Sequence, residues 1–280
     1  GDDFFERDML KKTFEKAEED QADICLFDAR LYNERTKVYK EIDYIIQKDY
    51  LPESIPFKGR SFPYILNITT GCPWNKLIRK SLIDEYQLQF MPLHRSNDVY
   101  FIFMALALAE KITVVQEVFV NYRQSGSSLQ ANNVKSPWDW YEALKALKLK
   151  FEELQIYEEL RSSFRNLAFG VGIYNLCSLK SGEAFCKVYE RMKQEFFEEF
   201  DLTDFKEEEC YSYNSKKYEI YRNMMQCTAG EYLFLEVQKL KQEKSYWVAR
   251  AKNAEKENKN KNPKERLSSL AHKVMRKFGR

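Results

Sequence analysis

Residues 94–123 read HRSNDVYFIFMALALAEKITVVQEVFVNYR, and two kinds of local pattern meet inside that stretch. From Asp98 to Glu110 the residues are strong helix formers and almost wholly apolar, which predicts a helix buried on most of its sides. Ile112 to Arg123 is rich in β-branched and aromatic residues and reads as a strand. The longest apolar run, Val99 to Ala109, falls far short of the ~20 residues that carry a helix across a bilayer, so no membrane span is predicted.

Upstream, Asp3 followed three positions later by Glu6 suggests a capping box. Leu10, Phe14 and Ala17 then recur at helical spacing, predicting a helix to about Glu19. Asp23 to Tyr32 and Lys37 to Ile46 are strand-forming stretches separated by the polar turn Asn33-Glu34-Arg35. Pro52, Pro56, Gly59, Pro63, Gly71 and Pro73 break any long element and lead into Pro73 to Lys80, a loop of the kind that lines sites.

Downstream of Asn132-Asn133 the character changes. Trp138 to Leu154, Tyr157 to Leu179, Glu183 to Phe200 and Tyr218 to Lys256 are helix-like with few breakers, so the rear half is mainly α. Its aromatics, among them Trp138, Trp140, Tyr157, Phe164, Phe169 and Tyr174, read as the core of a helical bundle. Leu233, Val237, Leu240 and Lys244 are spaced as a short helical seam that suits the bundle or a second subunit. From Ala251 onward lysine and arginine dominate. Asn258 to Asn262 reads as a flexible linker, and Pro263 can open a last helix with Leu267, Leu270, Val274 and Phe278 on one face among basic residues.

Lysine and arginine number 45 against 43 aspartates and glutamates, so no global field marks the chain as a nucleic-acid binder. The six cysteines are scattered without a C-x-x-C pair, which argues against a zinc site or a disulfide framework and fits a reducing, cytoplasmic setting.

Four segments, taken in order over residues 1 to about 130, resemble the inverting family-two glycosyltransferases of the GT-A fold. Gly1-Asp2-Asp3-Phe4-Phe5 looks like the end of the family's D-x-D-D motif. The resemblance implies that Asp2 holds Mg²⁺ or Mn²⁺ against the donor diphosphate, with Asp3 on the donor side; a hard cation on carboxylate oxygens neutralises the charge that develops on the leaving diphosphate. Trp74-Asn75-Lys76-Leu77 with Arg79-Lys80 and Phe90 resembles the W-N-K-L-x-R stretch beside the acceptor pocket. An indole face stacks on a sugar ring, and Asn75 and Lys76 would bond its hydroxyls.

His94-Arg95-Ser96-Asn97-Asp98 resembles the E-D motif at a helix start. Asp98 is then the general base, and Asn97, on the acceptor side, stands where the first acidic residue is usual. Val120-Asn121-Tyr122-Arg123 with Ser125 to Ser128 resembles the closing Y-R-x-x-x-x-S stretch, which would bring Arg123 and Ser127 to the donor phosphates. Taken alone, the same residues also suit other roles: Asp2, Asp3, Asn97 and Asp98 as helix caps, Trp74 as a buried ring, Arg123 as the partner of a surface carboxylate, and His94 as a solvated or structural side chain.

The fold class so implied is α/β, the rear half of a GT-A Rossmann-like nucleotide-sugar transferase domain, followed by a mainly α-helical domain. Its divisions are 1–134 for the transferase part, with a nucleotide-binding half upstream of Gly1, 135–250 for a helical extension, and 251–280 for a basic linker and amphipathic tail helix. The implied function is transfer of a sugar from a nucleotide-sugar donor to a glycan or lipid-linked acceptor in surface polysaccharide or glycolipid assembly. The basic helix over 264–280 would hold the protein on an anionic membrane surface at the inner face of the plasma membrane. The rival from another class is a non-catalytic glycan-binding or membrane-surface scaffold.

Overall fold

Ile24–Asn33 (β2) is the strand on which the architecture is built. Its first six residues are all buried, as befits a strand with neighbours on both edges and layers on both faces. The computed structural model describes residues 3–124, 136–210 and 216–260, the last six of these by backbone alone. Asp2, Ser127 and the tail helix expected over 264–280 therefore lie outside the described residues.

On one edge of β2 runs Ile112–Gln124 (β5), parallel, in register from Ile24 opposite Ile112 to Asn33 opposite Gln124, with a bulge around Asp28. The other edge is shared: Val38–Glu41 (β3) pairs antiparallel with its end and Lys76–Ile78 (β4) with its beginning. Phe4–Phe5 (β1) closes the far side against β5. The strand at 112–123 and the hairpin over 23–46 are as the sequence predicts, except that β3 ends at Glu41.

The capping box predicted from Asp3 and Glu6 does not form. Phe4 and Phe5 pair with Asn121 and Val120 instead, and helix α1 (Met9–Glu19) starts after Asp8 without a side-chain cap. The buried face of α1 also differs from the expected one: Leu10 and Phe14 are exposed, while Thr13 and Ala17 are buried. This helix lies against β2 and β5, and the side facing them carries the small residues.

After Lys80–Glu85 (α2), helix α3 (Asn97–Leu108) is buried at Val99 and from Phe101 to Ala107, matching the expected all-round apolar helix. Its C-terminal end presses on Gly59, where an added Cβ would sit 2.4 Å from the Leu106 carbonyl oxygen and 2.7 Å from that of Ala109. Only glycine admits that approach, and the Gly59 amide uses it to donate to Ala109 O at 3.1 Å.

The helices Asp139–Glu153 (α4), Tyr157–Ser178 (α5), Gly182–Arg191 (α6), the π-turn Met192–Phe196, Phe197–Glu199 (α7) and all but the last residue of Lys216–Gln226 (α8) complete a first compact unit that ends at Met225. Trp140, Phe164 and Phe169 are its core, as predicted, but Tyr174 is 53% exposed and does not belong there. A second unit begins at Gln226 and holds Ala229–Asn260 (α9).

The single helix expected over 218–256 is thus two. Thr228 ends the run with a capping box: its Oγ1 accepts from the Glu231 amide at 3.3 Å, and Glu231 Oε2 accepts the Thr228 amide at 2.8 Å. Thr228→Ala should cost α9 ~1 kcal/mol at its first turn, read as faster amide exchange at residues 230–232. Helix α9 continues to Asn260, so the part of the expected linker that is described is helical. Among the described residues no helix is long and apolar enough to cross a membrane.

Candidate active site

The carboxyl ends of a parallel strand pair are where open α/β sheets bind ligands, and here those ends are Arg30 to Asn33 of β2 and Asn121 to Gln124 of β5. Three of the four quoted segments come together beside them.

Arg123 is anchored at this end. Its backbone N–H donates to Asp3 Oδ1 at 3.0 Å, its guanidinium meets Glu34 Oε2 at 2.5 Å, and it lies over the Phe4 ring at 5.2 Å. Asp3 and Arg123, assigned separately to the donor side, are therefore joined directly. The carboxylate partner suggested for Arg123 is real: it is Glu34, at the start of the turn after β2. Nearby, Glu6 Oε1 accepts from Arg30 at 2.8 Å and from Asn121 at 3.0 Å, which ties β1 to both parallel strands.

One residue back along β5, the Tyr122 ring stacks on half-buried Trp74 with centroids 5.8 Å apart and planes 22° apart. The stack brings the loop before β4 to the sheet end. Trp74 keeps part of its surface open, as an acceptor platform requires.

Its neighbours turn the other way. Asn75 is 0% exposed, donates to Phe27 O and Thr69 Oγ1, both at 3.2 Å, and accepts from Lys76 Nζ at 2.6 Å. Lys76, 8% exposed, also donates to Thr70 O and Cys72 O, both at 2.8 Å. The sequence reading placed both residues on the acceptor, but the structure spends their polar atoms inside the protein. They are the inner frame that aims the 69–74 loop.

Asp98 occupies the second position of α3, half-buried. The cap position belongs to Ser96, which is left-handed at φ 53° and makes no side-chain cap, so neither Asn97 nor Asp98 is the N-cap. Burial pushes the Asp98 carboxyl above the ordinary aspartate value. The backbone N–H groups of Asp98 and Val99 and the Lys76 charge oppose that shift. Burial conversely pulls the Lys76 ammonium down to about 7, resisted by Cys72 and Asp98. Asn97 and His94 are exposed at the head of the helix.

Sequence reasoning missed Tyr44 and Tyr122. Tyr44 stands on the loop after β3, which is fastened by Lys48 to the buried Asp28 carboxylate at 2.6 Å and by Gln47 N to Ile68 O at 2.8 Å. The Tyr44 hydroxyl is pushed up by burial first and then by the charges of Tyr122, Cys72, Tyr174 and Asp43. Tyr122 lies inside a quoted segment and was legible there; nothing local distinguishes Tyr44. Among the described residues no three His, Cys, Asp or Glu side chains gather as a metal cluster.

No protein-family model matches the chain, and no curated protein matches it in sequence. Solved structures do match. S. aureus TarS 1–349 in complex with UDP-GlcNAc superposes with a TM-score of 0.55 at 18% identity, over 80% of this chain and 64% of that one. TarS 1–349 without that ligand gives 0.51 at 18% identity, over 80% and 63%. A longer TarS gives 0.51 at 17% identity, over 80% and 38%. The chain thus spans less than two thirds of the length of each. At this identity the likeness shows the fold alone, a mixed α/β sheet with a helical portion after it.

Proposed function

We propose that this chain serves the transfer of a sugar from a nucleotide-sugar donor to a glycan or lipid-linked acceptor, by a metal-dependent inverting displacement. The observation that carries the reading is Asp98: a half-buried carboxyl, raised in basicity, at the head of an apolar helix and beside the loop that carries Trp74. TarS, which shares the fold, is crystallised with UDP-GlcNAc, and this supports a donor of that chemical class.

In the displacement the acceptor hydroxyl oxygen attacks the anomeric carbon while its proton passes to the Asp98 carboxylate. The bond from that carbon to the diphosphate oxygen breaks, and the nucleoside diphosphate departs with its electron pair. A single carboxylate on the acceptor side suffices for this chemistry. The exposed part of Trp74, braced by Tyr122, is the surface on which the acceptor ring stacks.

Mg²⁺ or Mn²⁺, when bound, neutralises charge on the leaving diphosphate. Asp2 is assigned the metal by its place in the D-x-D-like segment, with Asp3, whose Oδ1 accepts the Arg123 amide N–H, and Arg123 bracing the donor side and Ser127 reaching the phosphates. The assembly role in surface polysaccharide or glycolipid, and peripheral attachment to an anionic membrane through 264–280, belong to the same reading.

The test uses the longest natural polypeptide that contains this chain and a panel of nucleotide sugars headed by UDP-GlcNAc. Turnover of one member with Mn²⁺, its arrest by EDTA and its return on adding Mn²⁺ are expected. Turnover untouched by chelation removes the metal from the proposal, and failure to bind any member of the panel removes the donor.

A further inference from the structure

Helix α9 carries an apolar stripe that faces solvent. From Leu240 to Ala254 every residue is exposed, including Leu240 at 63% and Trp247 at 59%. Leu233, Phe234, Val237, Leu240, Trp247 and Val248 all fall on one side when positions are advanced by ~100° per residue. The spacing is heptad: Leu233, Leu240 and Trp247 lie seven apart, and Val237, Lys244 and Ala251 fill the alternate core position. The helix is 32 residues, about 48 Å long, and the stability of an amphipathic helix comes mostly from packing of its apolar face.

We propose that this stripe is the seam of a parallel, two-stranded coiled coil formed by two copies of the chain. The flanking charges choose the occupant and its direction. Glu236 lies just before the Val237 core position, and Lys241 just after Leu240. In a parallel pair those flanks meet five residues apart, so Glu236 of each copy faces Lys241 of the other, and symmetry repeats the pair. An antiparallel pair instead sets Glu236 and Glu243 against the same acidic flank of the second copy.

Lys244, the one charge in the core series, costs stability but fixes register and restricts the assembly to two strands. Within a single helix Glu236 holds Lys239 at 3.1 Å, an exposed pair worth little and readily exchanged.

Sedimentation equilibrium of the whole chain over roughly a hundredfold range of concentration tests the assembly, because mass action populates the pair at the upper end. The mass of two chains is expected there, and Leu240→Glu, an exposed site that leaves the fold alone, should give the mass of one. Glu236→Lys should weaken association by roughly threefold to tenfold, and adding Lys241→Glu should restore it.

A wild-type chain that stays at the mass of one throughout overturns the proposal, as does a Leu240→Glu chain that stays at two. Capture of the wild type, but not Leu240→Glu, by phosphatidylserine vesicles while both remain single in solution also overturns it and gives the face to a membrane. Failure of the double charge reversal to restore association overturns the parallel arrangement.

Discussion

Asp98→Asn should lower sugar transfer ~10²–10⁴-fold while leaving the protein folded. The substitution keeps the shape of the side chain and its place in the second position of α3, and removes only the capacity to take a proton. Its effect on stability separates base from structural residue. A carboxyl raised above its unfolded value is strained when ionised: in the window between the ordinary 3.8 and the raised value, the folded state holds more protons than the unfolded one. Stability from this group is therefore present at low pH and falls as pH rises through that window.

Neutralising it should leave the melting temperature unchanged or slightly higher. A helix cap replaced in the same way would lose stability, and Asp98 is not at the cap. The pH profile carries a matching sign: kcat/KM should fall on the acid side as Asp98 takes a proton, at a pH above the ordinary aspartate range. Transfer within a few-fold of wild type in the Asn variant would sink the base assignment.

Lys76→Met has the larger expected effect on stability, a loss of ~3 kcal/mol or more at alkaline pH. The Lys76 nitrogen lies 2.6 to 2.8 Å from Asn75 Oδ1, Thr70 O and Cys72 O; as the neutral amine present above pH 7 it donates to two of them, and methionine donates to none. Against this stands the cost of keeping a charge buried, which the variant removes.

The balance depends on pH. Burial lowers Lys76 from 10.5 to about 7, so between those values the unfolded chain binds more protons than the folded one. Wild-type stability from this group therefore rises across that window. Denaturant midpoints should show the smallest deficit for Lys76→Met below pH 7 and the largest near 10. A deficit that does not grow with pH would show that the buried amine carries no such linkage. Because the 69–74 loop also aims Trp74, the KM for acceptor should rise in the variant more than kcat falls.

Much of the framework was legible because its signals are local. The apolar run after Asp98 has no polar side to leave in water, so it is buried wherever the chain folds. Strand formers bounded by Asn33-Glu34-Arg35 yield the β2–β3 hairpin for the same reason. The break at Thr228 was legible too, in Thr228 followed three residues later by Glu231, although the helical run around it hides the signal. The capping box expected from Asp3 and Glu6 shows the converse: the same spacing appears, but pairing with β5 captures Phe4 and Phe5 first.

By itself, then, the sequence determined the succession of elements, the helical rear half, and an aspartate at the head of the buried helix, since periodicity and apolar content act within a few residues. Tertiary structure alone decided which side chains of the motif loop turn inward and which stay partly exposed. Asn75 turns inward because its partner is Phe27, 48 positions away on the central strand, and Trp74 stays at the surface because Tyr122 arrives from β5 to brace it. Tyr174, read from the sequence as a core aromatic, is likewise 53% exposed once the helices have packed. Local pattern cannot specify such meetings, because their energies exist only once the chain has closed the loops between them.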